Sequence, residues 1–479
     1  MRIRSMVSAA AALALALLPT RVAQGQKLDR SIRPLAPAYK APVFPAVNVH
    51  TLPNGLRVAI VENHALPIVG VRAVLSFDST ADAPGKEGVY AVTLGMLREG
   101  TTSRSAEQIA TLVGSLGSDV SPTRFTTVTA SADRSLALMA DMLTHPAFPS
   151  DALERRKAMQ ATAVQRQLQS PGTAPRRALF AAMFGAAHPV ARSVLGSDAT
   201  VKSITRDDVA NFYGEYFRPE NVTLVVVGDV RSADVLASVA RLFGPWQGHG
   251  SPYAIRAEPA AAPSATTIYL IDRPNAQQAY AYVGQLGPSH SAADVPAMEA
   301  LAPILGFGAQ SRLARNIRER HAYMYSGTLY ALSWQPEPRP SMLYGSGAFA
   351  PIKTDSALAE WISELKAIRA DRPPTPEEMA SARAAINNNL STALETVDRL
   401  ADRLATYAHA GIPLDFDNRL ARSAATLSSA DVRAAAAAHI DPEHLAIVVA
   451  GDRVSLEPTL RALKVGPVVV VDESGKRLP

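Results

Sequence analysis

The stretches TRDDV (205–209), PE (219–220) and LVVVGD (224–229) recur in the same order as SSADV (428–432), PE (442–443) and IVVAGD (447–452). The spacing between the stretches is the same in both copies, with no gap. This period is far longer than that of a solenoid repeat, so the pattern indicates two tandem copies of one domain. A doubled domain encloses a space between its halves, where ligand sites are favoured.

Composition and the start of the chain narrow the class of protein. Of 479 residues, 47% are hydrophobic, which is ample for a core, and the net charge is +5. No Lys/Arg run interleaves with aromatic residues, so nucleic-acid binding has no support. The basic start Met1–Arg4, the apolar run Ala9–Leu18 and the small residues around Ala23–Gly25 predict a cleavable signal peptide and a periplasmic protein. An uncleaved anchor is the alternative; no later segment is apolar enough to predict a membrane span.

Local signals predict a mixture of strands and helices. The turn Pro53–Gly55 lies between two apolar runs, which is typical of a hairpin. Periodicity predicts helices over Ser150–Gln169, Ser311–Glu319 and Pro376–Tyr407. Because strands and helices do not alternate regularly, the fold class is α+β. We expect two tandem homologous halves, each a mostly antiparallel sheet covered by helices, facing each other like a clam.

The predicted segments follow the chain in order. They are a signal peptide at 1–25, a Pro-rich arm at 26–45, a first domain at 46–243, a Gly-, Pro- and Ala-containing linker at 244–265, a second domain at 266–470 and a tail at 471–479.

Residues Gly88–Thr101 resemble the active-site helix of the pitrilysin/insulinase family of zinc metallopeptidases. That family's motif is Gly-x-x-His-x-x-Glu-His-Met, followed by Gly-Thr, and its glycines, methionine and threonine all have counterparts here. The reactive positions do not match. The first histidine aligns with Ala91, the glutamate with Leu94 and the second histidine with Gly95.

The replaced residue types remove the chemistry. Two histidines four residues apart on a helix can share one zinc ion, and the glutamate activates the zinc-bound water. Alanine, leucine and glycine supply neither ligand nor base. The family's third ligand is a glutamate on a later helix, which resembles Ala158–Gln169 here, and there is no Asp or Glu from Arg155 to Ser197. We therefore expect no metal on this chain.

The remaining histidines form no substitute motif. His439 and His444 are five residues apart, and Pro442 between them breaks any helix, so they are interpreted as part of a turn. His188, in a loop that resembles one in the family, is interpreted as structural.

The second half retains a different part of the family pattern. Ser311–Leu313, Asn316–Glu319 and Tyr325 resemble the family's Ser-Arg-Leu … Leu-Arg-Glu … Tyr. In the family, that Arg and Tyr reach the zinc-bearing half, hold the substrate backbone and steady the tetrahedral intermediate. The resemblance assigns these roles to Arg318 and Tyr325, and several fixed donors facing a developing oxyanion suit them chemically. The alternative is a solvated helix residue and an ordinary strand residue.

The resemblance implies a catalytically incomplete, insulinase-like subunit of a heterodimeric periplasmic peptidase. Its homologous partner would carry His-x-x-Glu-His and the zinc, and the substrate would be an extended peptide or unfolded protein. Peptide capture would use an exposed sheet edge. One alternative is a non-enzymatic structural or peptide-binding protein of this fold, like the core subunits of a respiratory complex. A serine hydrolase is disfavoured, since no Gly-x-Ser-x-Gly occurs.

Overall fold

The computed structural model describes residues 41–248, 252–255, 260 and 262–478. The predicted signal peptide, most of the predicted arm and part of the predicted linker lie outside these residues. We call residues 46–243 the first half and residues 266–478 the second half.

Two separate sheets organise the chain. The first sheet comprises β1 (Asn48–Thr51), β2 (Arg57–Glu62), β3 (Ile68–Leu75), β4 (Arg124–Val128) and β5 (Val222–Gly228). The second sheet comprises β6 (Thr267–Asp272), β7 (Ala279–Leu286), β8 (Met324–Ser333), β9 (Met342–Phe349), β10 (Ala446–Gly451) and β11 (Val468–Val471). The strand orders are β1-β2-β5-β3-β4 and β11-β6-β10-β7-β9-β8.

The two sheets share a topology. In the first sheet, β5 is parallel to β2 and antiparallel to β3. In the second, β10 is likewise parallel to β6 and antiparallel to β7. The strand that ends each sequence repeat thus holds the same place in both sheets, and most strand pairs are antiparallel. The predicted α+β fold class is confirmed.

Helices cover both sheets. Those of the first half are α1 (Val89–Met96), α2 (Ala106–Leu116), α3 (Ala132–Thr144), α4 (Ser150–Gln169), α5 (Thr173–Phe184), α6 (Asp198–Ser203), α7 (Arg206–Tyr216) and α8 (Ser232–Phe243). Those of the second half are α9 (Val295–Leu305), α10 (Thr354–Arg369), α11 (Pro376–Ala393), α12 (Val397–Ala410), α13 (Phe416–Thr426), α14 (Ser429–His439) and α15 (Arg453–Ala462), with a π-helix at Ala314–Arg320. Among the described residues, no helix has the length and apolar character needed to cross a bilayer.

The repeated sequence folds alike in both halves because its helix caps are alike. The Thr205 side chain accepts a hydrogen bond from the Asp208 N–H, and the Ser428 side chain accepts one from the Asp431 N–H. Each is a capping box, which satisfies two backbone donors that a helix start leaves free.

The halves exchange one helix each. From the second half, α12 packs on β3 and β5 of the first sheet, burying Leu400 and Leu404. From the first half, α5 packs on β7 and β10 of the second sheet, burying Leu179 and Phe180. Each such side chain contributes about 1.5–3 kcal/mol by leaving water. The exchange joins the halves along a shared apolar seam.

Two predicted helices differ in the structure. The single helix predicted over Pro376–Tyr407 is wrong, because it ends at Ala393 and restarts at Val397. Thr396 begins the new helix by accepting a hydrogen bond from the Arg399 N–H, which a hydroxyl residue favours over helix continuation. The helix predicted over Ser311–Glu319 is present, but from Ala314 to Arg320 it is a π-helix.

Candidate functional site

Helix α1 carries the three positions at which the zinc motif is replaced. Ala91, Leu94 and Gly95 are half-buried on a helix that packs against α4, the helix predicted to hold the third ligand position. The structure therefore retains the helix pair on which the family builds its metal site, without the side chains that bind the metal.

The start of α1 is fixed by a buried carboxylate. Asp82 accepts hydrogen bonds from the N–H groups of Gly88 at 2.7 Å and Tyr90 at 2.9 Å. Burial raises the pKa of Asp82 to about 7, against the lowering effect of these two donors. Gly88 has φ +99°, and a β-carbon there would lie 2.6 Å from the Leu195 carbonyl oxygen, so glycine is required.

A cation lies beside the position of the second zinc-binding histidine. A β-carbon at Gly95 would lie 3.4 Å from Cδ of Arg156, which projects from α4. The Arg156 Nε donates to Glu99 Oε1 at 2.6 Å, so the guanidinium is held against α1. A guanidinium offers no ligand to a divalent cation, and this ion pair joins α4 to the turn that follows α1.

A second contact joins the same elements. The Gln160 side chain, 9% exposed, donates from Nε2 to the carbonyl oxygens of Gly88 at 3.0 Å and Leu195 at 2.9 Å. One amide thus connects α4, the start of α1 and the loop before α6.

These residues do not fit zinc. Within the part of the chain that the structure describes, no group of three or more His, Cys, Asp or Glu side chains is arranged to hold a metal ion. Two carboxylates near α1 are those of Asp82, which accepts from two backbone N–H groups, and Glu99, which is paired with Arg156, and they do not converge with a third imidazole, thiolate or carboxylate as a zinc site requires. We assign no metal-dependent step to this chain.

The histidines set aside from the sequence have separate partners. His439 Nε2 lies 2.7 Å from Asp294, and His444 Nδ1 lies 2.7 Å from Asp441. His188 Nδ1 accepts a hydrogen bond from the Val190 N–H. His439 links the end of α14 to the residue before α9, whereas His444 and His188 support their own turns.

Arg318 lies on the π-helix with 53% of its side chain exposed. Its nearest carboxylate is that of Glu319, at 3.7 Å from Nε. The π-helix closes with the His321 N–H donating to the Asn316 carbonyl, and Ala322 follows with φ +52°. Single π-turns and left-handed non-glycine residues are costly and occur often at functional sites.

Tyr325 lies in a bulge of β8. Met324 pairs with Phe349 and Ser326 with Ala348, so Tyr325 is the extra residue between two pairs, and it is 63% exposed. A bulge re-aims the side chain that it carries. Because β8 is the last strand of its sheet, its outer edge has no neighbouring strand in that sheet.

The structure therefore separates the predicted site into two parts. No hydrogen bond or ion pair among the described residues joins Arg318 or Tyr325 to α1. Sequence reasoning missed Arg156, Glu99 and Gln160, which connect α1 to α4. The lack of acidic residues on α4 from Arg155 onward was visible, but nothing in the sequence showed which side chains would pack there instead.

The seam between the halves contains a charge network that was also missed. Arg72 on β3, 4% exposed, donates to Asp398 and Asp402 on α12, to the Phe125 carbonyl and to Thr126. These contacts hold the exchanged helix α12 on the first sheet.

Comparison with known proteins agrees with this architecture. The family description "Peptidase M16 inactive domain" matches residues 203–386. The Bacillus subtilis protein named uncharacterized zinc protease YmxG is 23% identical over 74% of this chain and 86% of its own length. The solved M16 inactive domain from Pseudomonas fluorescens is 23% identical, with a TM-score of 0.76 over 85% of this chain and 98% of that one.

A further solved structure differs in length. The periplasmic protease PqqL from Escherichia coli is 15% identical, with a TM-score of 0.69 over 88% of this chain but 50% of that one. The fold and the degenerate site thus define an M16-like protein, which confirms the resemblance to the pitrilysin/insulinase family. Within the chain, the match to the M16 inactive domain covers residues 203–386.

Proposed function

We propose that this chain is the non-catalytic subunit of a periplasmic two-chain peptidase. The observation that carries the proposal is the exposure of Arg318 and Tyr325, on two consecutive backbone irregularities, in a chain whose α1 lacks metal ligands. Exposed donors without a strong partner of their own are available to a second protein.

Arg318 and Tyr325 would act on a peptide held by the partner. A zinc ion on the partner would supply the activated water. On this side, the Arg318 guanidinium and the Tyr325 hydroxyl would donate hydrogen bonds to the carbonyl oxygen as negative charge develops on it. The edge of β8 would pair with the extended peptide backbone, which gives affinity with little dependence on sequence.

Two further observations support parts of the proposal. This chain aligns with 50% of the E. coli periplasmic protease. A protein with this fold can therefore contain a second portion about as large as this chain. The basic and apolar residues at the start of the sequence support export to the periplasm.

The test is reconstitution. The chain is co-expressed with a relative from the same organism that carries His-x-x-Glu-His, and cleavage of an unfolded-protein substrate is measured with and without chelator. We expect zinc-dependent cleavage only by the pair. Loss of an oxyanion donor typically lowers kcat by about 10²–10³, so R318A should reduce turnover on that scale. The Y325F variant should also reduce turnover.

The control is R320A, because Arg320 is exposed on the same π-helix. Equal activity of R318A, Y325F and R320A pairs would refute the assigned roles. A complex that forms without any cleavage would favour the alternative, a structural or peptide-binding protein of this fold.

A further inference from the structure

The seam between the halves encloses a cavity of about 420 Å³. Leu168 on α4 and Phe180 on α5 line it from the first half, and Met342 on β9 lines it from the second. This volume suits a small ligand or the last few residues of a peptide.

Three guanidinium groups line the cavity without a carboxylate partner among the described residues: those of Arg176, Arg177 and Arg192. Arg176 lies 4.5 Å from the centre of the Phe180 ring. Arg192 donates to the backbone carbonyls of Asp82 and Ala187.

Each carboxylate in the cavity lining already forms an ion pair with a basic side chain. Arg339 donates to Asp78 at 3.0 Å, and Lys202 donates to Asp198 at 2.7 Å. Although burial acts to raise it, Arg339 and Thr80 hold the pKa of Asp78 below its usual value, so Asp78 remains charged and paired. The cavity therefore has excess positive charge above an apolar floor.

The other exchanged helix shows what a charge-matched contact looks like in this fold. On α12, Asp398 and Asp402 meet Arg72 of the opposite half. On α5, Arg176 and Arg177 meet a cavity instead of carboxylates. Uncompensated like charges cost stability that a bound anion would restore.

We propose that this cavity binds a carboxylate attached to an apolar body, from either a peptide C-terminus or a free organic acid. The guanidiniums of Arg176 and Arg177 form charge-assisted hydrogen bonds with the carboxylate, and the apolar part lies against Leu168, Phe180 and Met342. Binding requires no partner chain, so it can succeed or fail independently of the proposed peptidase assembly.

The test measures binding to the chain alone by fluorescence anisotropy. The ligands are an amino-terminally labelled tetrapeptide ending in leucine, as the free acid and as the C-terminal amide, and octanoate as competitor. We expect the free acid to bind at least about tenfold more tightly than the amide, since the amide loses the charge-assisted contacts. The R176Q/R177Q variant should weaken binding of the free acid by a similar factor, and added salt should weaken binding to the wild type.

The matched control is R166Q, because Arg166 is exposed on α4 outside the cavity lining. A second variant, L168W, fills the apolar part without changing charge and should also weaken binding. Tight binding of the peptide identifies peptide ends as the source of the carboxylate, and displacement by octanoate with weak peptide binding identifies free acids. Equal binding of acid and amide, no binding of either acid, or unchanged binding to R176Q/R177Q would overturn the proposal.

Discussion

Gln160 provides the sharpest test of how helices α1 and α4 are held together without a metal. In Gln160→Ala, the Gly88 and Leu195 carbonyls lose the donor that they share. Gly88 keeps a second hydrogen bond from the Val92 N–H, whereas no other described hydrogen bond reaches the Leu195 carbonyl. Losing two hydrogen bonds, one of which leaves a carbonyl unsatisfied, costs about 2–3 kcal/mol.

That cost converts to a measurable shift. At roughly 2 cal/mol/K of unfolding entropy per residue, a chain of this size loses about 1 °C in Tm per kcal/mol, so we expect a fall of about 2–3 °C in differential scanning calorimetry. Hydrogen exchange should also increase in the loop around Leu195, which the side chain anchors. The control is Gln169→Ala, an exposed position on the same helix. An unchanged Tm and exchange rate in Gln160→Ala, or an equal loss in the control, would refute the anchoring role.

Three further predictions concern the metal, the seam and pH. A zinc site with a nanomolar Kd, at a free zinc concentration ten thousand times that Kd, would add about 5 kcal/mol of stability. We expect neither zinc nor chelator to move the Tm by more than about 1 °C. A larger zinc-dependent rise would contradict the conclusion that α1 has lost its metal ligands. Arg72→Met should lower the free energy of unfolding by about 2–4 kcal/mol, measured by urea unfolding. This is less than the full cost of breaking a buried ion pair, because Asp398 and Asp402 are about half exposed and regain water. An unchanged free energy of unfolding would show that the seam does not depend on this network. Burial raises the pKa of Glu299, which accepts a hydrogen bond from Trp334, so the native state holds this proton more tightly than the unfolded state does. The contribution of Glu299 to stability is therefore lost as pH rises above about 4.5. Glu299→Gln keeps the acceptor for Trp334 and should become progressively more stable than wild type over that rise; parallel pH curves would exclude Glu299 as the cause.

The sequence was sufficient for features set by local chemistry. The repeated stretches that start at Thr205 and Ser428 and the turn at Asn54-Gly55 coincide with elements that the structure contains, because hydrogen bonds within a few residues determine them. The exchange of α5 and α12 between the halves could not be predicted in this way. Both helices bury apolar faces, and an apolar face alone does not indicate which of the two sheets it covers.

The same limit applies to the candidate site. The loss of zinc ligands at Ala91 and Gly95 could be predicted from the sequence, since both positions of the motif that require histidine are occupied by other residues. The contacts that replace the metal were not, because Arg156 and Glu99 lie far apart in sequence and meet only when α4 packs on α1. The bulge at Tyr325 was equally hidden, since register in a sheet depends on both strands.

The contacts between α1 and α4 also bear on why the fold persists without its metal. In a zinc peptidase of this family, the ion links the two helices through ligands on each. Here an ion pair from Arg156 and a bridging amide from Gln160 make that link, and both side chains belong to α4. The guanidinium and the carboxamide donor groups offer no ligand to a metal, so these contacts hold the two elements together without one. A chain that had merely lost its histidines would leave a polar gap between these helices. In this chain Arg156 and Gln160 fill that gap, which accounts for a packed helix pair that has no metal ligands. The test combines Arg156→Ala with the triple substitution Ala91→His, Leu94→Glu and Gly95→His. If Arg156→Ala alone left stability unchanged and zinc then bound at α1 in the combined variant, Arg156 would not be what holds this region together without a metal.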